Sequence, residues 1–246
     1  MHREVELAAA FLDLSRFSDR GFDEARYADL LARRCAGLLD VDAAGVLLTG
    51  AGGQLSAVAA SAETVQLLQL VQLRFQDGPG IASFRTGIPV HAADLRAGTR
   101  WDTFRSATLN AGFSAVHALP LRLNEESLGS LTLFRRVPGE LSHEDVKMGE
   151  ALTAFATATL LAQRAVEKAE TLAGQLQTAL HTRIVIEQAK GILAERHGLG
   201  TEGAFELMRA YARHDRRRLD EVARAIIDRS PSVARLLGRA PESTAG

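Results

Sequence analysis

The strongest constraint on this chain is its longest helical pattern, which meets no obvious breaker between Ser142 and Gly198. At 1.5 Å per residue such a helix runs on the order of 80 Å, and a helix of that length does not stand alone in water. Ser142 is placed to cap its start, with Glu144 and Asp145 in the first turn, where negative charge favours the helix N-terminus. Gly174 and Gly191 are its weak points, each costing about 1 kcal/mol relative to alanine. Ala165, Ala169, Leu172, Leu176 and Ala179 follow 4-3-4-3 spacing, the seam of a short coiled coil, with Glu167, Lys168 and Glu170 on its solvated sides. The pattern predicts a linker helix that pairs with a second copy; the alternative is a helix docked on its own domain.

The stretch before this helix alternates helices and strands. Helical spacing marks Val5 to Phe17, Phe22 to Leu39, Thr64 to Phe75, Ile81 to Arg85 and Arg100 to Leu109. Short apolar runs mark strands at Ala43 to Leu48, Leu55 to Ala60, Ile88 to His91, Ala115 to Leu123 and Leu128 to Arg135. Hairpin-linked strands with helices before and between them describe an α+β domain around an antiparallel sheet. After Gly198 the chain reads as two more helices, Glu202 to Arg213 and Arg218 to Asp228. With the end of the long helix they make an all-α three-helix bundle. Such a bundle, of roughly 55 residues, is marginal alone and gains from anchoring through the long helix.

The near-neutral total, a net charge of −1, is a cancellation. From Thr171 to Gly246 there are 12 Lys/Arg against 9 Asp/Glu, and from Met1 to Glu170 there are 17 against 21. An acidic front and a basic back suggest two domains with different partners. No apolar run reaches the roughly 18 residues that span a bilayer, and Met1 to Asp19 lacks a small-residue cleavage site, so neither a membrane anchor nor a signal peptide is expected. The single cysteine, Cys35, lies on the apolar side of a helix and fits a reducing compartment, which leads to a cytoplasmic protein.

Catalytic motifs are missing. No phosphate-binding G-x-x-x-x-G-K-[ST] or G-x-G-x-x-G, no C-x-x-C and no G-x-S-x-G elbow occurs, and His143-Glu144-Asp145 lacks the second histidine of a zinc-hydrolase helix. His91 and His117 sit on adjacent strand candidates and could meet across the sheet as a metal or haem site, against the commoner outcome of satisfied or exposed histidines. The expectation is a non-enzyme with no metal and no cofactor.

Arg183-Ile-Val-Ile-Glu-Gln-Ala-Lys-Gly-Ile-Leu193, followed by Gly198, Ala204-Phe205 and Leu219 with Val222-Ala223, resembles the ANTAR domain from about Leu172 to Asp228. Met208-Arg209 stands where that family usually has Leu-Arg. The resemblance implies a three-helix module that binds RNA, typically a tandem pair of small hairpins in a leader transcript, and so prevents a terminator or alters ribosome access. In front, Gly78-Pro79-Gly80, Phe84 to Val90, Asp94-Leu95, Trp101, Ala118 to Leu121 and Leu128-Gly129 resemble GAF sensor domains of the actinobacterial GAF–ANTAR type. Gly80 replaces the cysteine of many relatives, and the N-K-F-D-E signature of cyclic-nucleotide-binding GAF domains is not present, so the ligand is open. The implied organisation is a GAF sensor over 1–162, a coiled-coil linker over 163–180, an ANTAR domain over 172–233 and a partly disordered tail over 234–246.

The residues themselves add to this. Arg183 and Lys190 lie two turns apart on one side of a helix, and Gly191 either admits a phosphate or base to the backbone or allows close helix packing. Arg209 and Arg213 are four apart on the next helix, and Arg216, Arg217 and Arg218 follow in the turn. Together they can form a positive stripe against phosphates and unpaired bases, or a solvated face with local pairs. Tyr211 could stack on a base, but its spacing favours the core. Phe84, Trp101, Phe104, Phe113 and His117 are the candidates for an apolar ligand pocket, and are equally readable as plain core. The expected function is a homodimeric, signal-responsive regulator of RNA hairpins, able to take a small-molecule ligand. The rivals are a DNA-binding transcription factor, since three helices can mimic helix-turn-helix, and a GAF scaffold without ligand.

Overall fold

The computed structural model describes residues 2–17, 21–50 and 52–238. It divides into two compact units, Met1–Val166 and Glu167–Gly246. The tail expected to be partly disordered over 234–246 lies outside the described residues from 239 onward; before that, Leu236 and Leu237 are buried.

The first unit is built on an antiparallel sheet of β1 (Ala43–Thr49), β2 (Leu55–Ala60), β3 (Val90–Ala92), β4 (Ala115–Leu123) and β5 (Glu126–Arg135), in the order β2-β1-β5-β4-β3. Because successive strand residues point to opposite faces, the sheet feeds two cores. One face carries Ala44, Val46, Leu48, Leu119, Leu121, Leu131 and Leu133. It packs under α1 (His2–Arg16), α2 (Glu24–Leu38) and the first turns of α6 (His143–His197), through Leu14, Leu31, Leu152 and Leu160. The other carries Ala43, Val116 and Phe134 and is covered by α3 (Glu63–Phe75), α4 (Pro79–Thr86) and α5 (Asp102–Asn110).

Local chemistry explains several boundaries. Asp23 caps α2 by accepting from the Ala25 and Arg26 amides. The helix expected to begin at Ile81 starts two residues earlier, because Pro79 occupies its first turn, where a missing N–H costs nothing. Strand β5 starts two residues earlier than the expected Leu128, because the β4–β5 connection is tight: Leu123 pairs with Glu126, and Asn124 supplies the positive φ of 54°. Gly129 is required by close approach, since a β-carbon there would lie 1.9 Å from the Leu47 carbonyl oxygen on β1.

Ser142 caps α6 as expected. Its hydroxyl accepts from the Asp145 amide at 3.0 Å and donates to the Asp145 carboxylate at 2.6 Å. Asp145 is itself buried and paired with Arg3. Farther along, the Arg164 guanidinium ties the helix to the Glu24 carboxylate at 2.5 Å and to the Thr49 carbonyl at 2.6 Å. From residue 165 to residue 181 every side chain is exposed, including Leu172, Leu176 and Leu180 at 55–63%.

The second unit packs the end of α6 with α7 (Thr201–His214), α8 (Leu219–Ile227) and a short 3-10 turn, Pro231–Val233. Its core holds Val185, Ala189 and Leu193 from α6, Ala204 and Met208 from α7, Val222 and Ile226 from α8, and Val233 with Leu236 and Leu237 beyond them. Among the described residues no helix is long and apolar enough to cross a membrane.

Candidate nucleic-acid interface and ligand pocket

The cations singled out from the sequence are distributed around the outside of the second unit's core. On α6, Arg183 is exposed and has no ion pair among the described residues. Lys190 is more constrained: its ammonium is 2.9 Å from Glu187, lies 5.6 Å from the centre of the Phe205 ring, and leaves 16% of the side chain exposed. The Phe205 contact brings α7 alongside, and Arg209 follows one turn later on that helix. Arg209 and Arg213 share Glu206, at 3.5 and 4.0 Å. Exposed pairs of this kind contribute about 0–1 kcal/mol, so a phosphate can replace the carboxylate at little cost.

Gly191 is exposed, and a β-carbon there would meet nothing within 4 Å. Close helix packing therefore does not explain this glycine, and its backbone is open to approach from outside. The α7–α8 turn places Arg216 at φ 53° with its side chain exposed. Arg217 Nη1 donates to Ser232 Oγ at 3.3 Å, and Arg218 precedes α8 with its Nε 3.1 Å from Asp220. Tyr211 packs against the core, as its spacing suggests, while its hydroxyl donates to the Ser232 carbonyl at 2.6 Å.

In the first unit, Trp101, Phe104 and Phe113 belong to one buried cluster with Phe134, whose ring is 6.3 Å from Phe104 and 5.3 Å from Phe113. Phe84 is half-buried on α4. His117 does not join them. Strand alternation places Val116 in that cluster and turns His117 to the opposite face, where its Nε2 accepts from the Leu141 amide at 3.3 Å. His91 does meet it across the sheet, stacked at 5.3 Å. Burial pushes the His117 pKa down to about 4, helped by His91 and Arg135. A ring that accepts at Nε2 and stacks on a neighbour is a neutral structural histidine, not a lining of the aromatic side. Among the described residues, no three His, Cys, Asp or Glu side chains gather as a metal site would require.

Sequence reasoning missed a polar patch within the aromatic side of the sheet. Gln69, Gln72, Ser130 and Thr132 are all fully buried there. Gln72 donates to Gln69 at 2.5 Å and accepts from the Gly80 amide at 2.8 Å. Gln69 Nε2, Ser130 Oγ and Thr132 Oγ1 have no hydrogen-bond partner among the described residues. A β-carbon on Gly80 would sit 2.8 Å from Thr132 Oγ1 and 3.0 Å from Ser130 Oγ. A periodicity argument cannot find such a patch, because these residues meet only through the α3–sheet–α4 packing.

Comparison with known proteins agrees with this division. The ANTAR domain model matches residues 174–227 and the GAF domain model residues 23–160. No curated protein matches the chain. Among solved structures, the GAF domain of an Acinetobacter phosphoenolpyruvate-protein phosphotransferase is similar over 67% of this chain and 96% of its own, at 13% identity and a TM-score of 0.55. That of the Coxiella burnetii phosphoenolpyruvate-protein phosphotransferase is similar over 67% of this chain and 98% of its own, at 13% identity and a TM-score of 0.50. At these identities the likeness shows the fold alone. With the GAF match covering more than half of its length, the chain belongs to the GAF domain family and joins that domain to an ANTAR domain.

Proposed function

We propose that this chain is a signal-responsive RNA-binding regulator of the actinobacterial GAF–ANTAR type, which binds tandem hairpins in leader transcripts and controls termination or translation. The observation that carries the reading is the ANTAR match over residues 174–227, on a bundle whose Arg183, Gly191, Arg209 and Arg213 are exposed and whose Lys190 keeps 16% of its side chain at the surface. Two such modules, held by a pair of α6 helices along Leu172 and Leu176, would engage two hairpins at once and gain avidity through effective concentration. The GAF unit supplies the input. Its aromatic side, which holds Trp101, Phe104 and Phe113 together with a buried amide nitrogen of Gln69 and the Ser130 and Thr132 hydroxyls that have no partner among the described residues, is where a small molecule would be read, with Phe84, half-buried on α4, as a further candidate.

Filter binding of the full chain to a tandem-hairpin leader, against single hairpins, unrelated hairpins and duplex DNA, tests this. Tight binding that weakens steeply with salt is expected, and removing Arg183 or Lys190 as a phosphate contact should lower the salt slope by about one. Equal affinity for unrelated hairpins overturns the reading, and a preference for duplex DNA replaces it with a DNA-binding regulator. Sedimentation of the Leu172→Asp, Leu176→Asp double variant tests the pairing. An unchanged molecular mass relative to the parent excludes α6 as the dimer seam.

A further inference from the structure

α6 ends at His197, the chain turns through Gly198 at φ 62°, and α7 begins at Thr201. Against this corner the second unit opens a cleft of about 530 Å³. Leu199 and Leu207 give it an apolar floor, and Tyr211, His197 and His214 give it rings. Two of the rings are held in place: the Tyr211 hydroxyl donates to Ser232, and His197 Nε2 lies 2.6 Å from the Leu236 carbonyl, to which it donates. Asp215 and Arg235 also line it, an acceptor and a donor beside the same apolar floor.

The chemistry of these walls selects among occupants. A phosphate would use the arginine and leave the leucines and rings idle, while Asp215 would repel it. An aliphatic side chain would use the leucines and make no use of the exposed Asp215 and Arg235. A nucleobase uses all three, because it has an apolar face to stack and an edge that both donates and accepts. The volume falls within the range of roughly 300–1,000 Å³ that holds small ligands. Position agrees as well. Arg213, Arg216 and Arg217 flank His214 and Asp215 in the chain, so the sugar-phosphate on either side of an inserted base would meet cations.

We propose that this cleft takes one unstacked base of the bound RNA loop, stacked by Tyr211 and His214 and read at its edge by Asp215 and Arg235. The inference rests on the RNA-binding reading above and adds a site to it. The charged groups facing the Tyr211 phenol are Asp215, Arg217 and Arg235. Of the rings, His214 is the one whose removal leaves the core alone, with 83% of its side chain exposed.

The test uses the full chain and an RNA enriched by it from a pool of tandem hairpins with randomised loops. Each loop base of that RNA is then removed in turn, leaving an abasic sugar. One position should lose affinity by about tenfold, the scale of a single stacked base. In His214→Ala, and separately in Leu199→Ser, that loss should shrink to about twofold or less while the salt slope stays unchanged. A loss that persists undiminished in both variants, or no sensitive loop position at all, overturns the base cleft and leaves RNA binding standing. Failure to enrich any RNA overturns both readings.

Discussion

Acidification offers a sharp test of how the first unit is held at the start of α6. His117 is 7% exposed, and its Nε2 must stay unprotonated to accept the Leu141 amide. Its pKa is lowered from 6.5 to about 4, so the unfolded chain takes up a proton that the folded one refuses. The stabilisation is therefore complete above about pH 6.5 and is lost progressively as the pH falls toward 4. Linkage over that shift gives a loss of about 2 kcal/mol between about pH 7.5 and pH 5, and about half of that if solvent screens the ring. Trp101, the only tryptophan, is buried in this unit and reports its unfolding by fluorescence in denaturant. His117→Gln retains a group that can accept from Leu141 and does not titrate, so it should show a shallower fall than the parent over the same pH range. Equal falls in both proteins would refute the reasoning, since every other titrating group is common to them.

Three further outcomes follow from the packing. Gly129→Ala should destabilise the first unit by about 3 kcal/mol or more, because its new methyl meets the backbone of a paired strand and not a movable side chain. Thermal melting followed at Trp101 measures this, and an unchanged midpoint contradicts it. Cys35 is fully buried, with its thiol pushed up to about 12 by burial, so a disulfide reagent at about pH 8 should label it only after unfolding. Rapid labelling of the native protein would show that α2 opens locally. Leu193→Ala should cost about 3 kcal/mol in the ANTAR unit. Circular dichroism should record helix loss at lower temperature while Trp101 emission is unmoved, and a coincident shift of both signals counts against separate units.

Element types were legible because each rests on a short-range pattern. The Tyr27, Leu31 and Cys35 spacing of α2, the alternation along β4 and the Ser142 cap all involve residues within a few positions of one another. Facing was not legible. Both His117 and Phe113 look like pocket candidates in the sequence, and only the pairing of β4 with β5 and the Leu141 contact show that His117 points away. The basic residues of the ANTAR unit were found by spacing alone. Their carboxylate partners are mostly local too, as Glu187 is to Lys190 and Glu206 to Arg209. The cleft at the α6–α7 corner was hidden for the opposite reason: His197, Tyr211 and Arg235 come from three separate segments.

The exposed stretch of α6, residues 165–181, has a consequence for cooperativity. Its backbone hydrogen bonds are supported by helix propensity and by no buried side chain, the condition under which a helix opens most readily. In a variant whose α6 helices cannot pair, such as Leu172→Asp with Leu176→Asp, amide exchange should divide the long helix into two slow blocks around a fast one, with each core melting on its own. The stretch is then the weakest segment of the helix, and its residues belong to neither core. Gly174 sits in it with open space around its α-carbon, so Gly174→Ala adds about 1 kcal/mol of helix preference without touching either core. Anything that covers this stretch would do the same, and would make two independent folding units unfold as one.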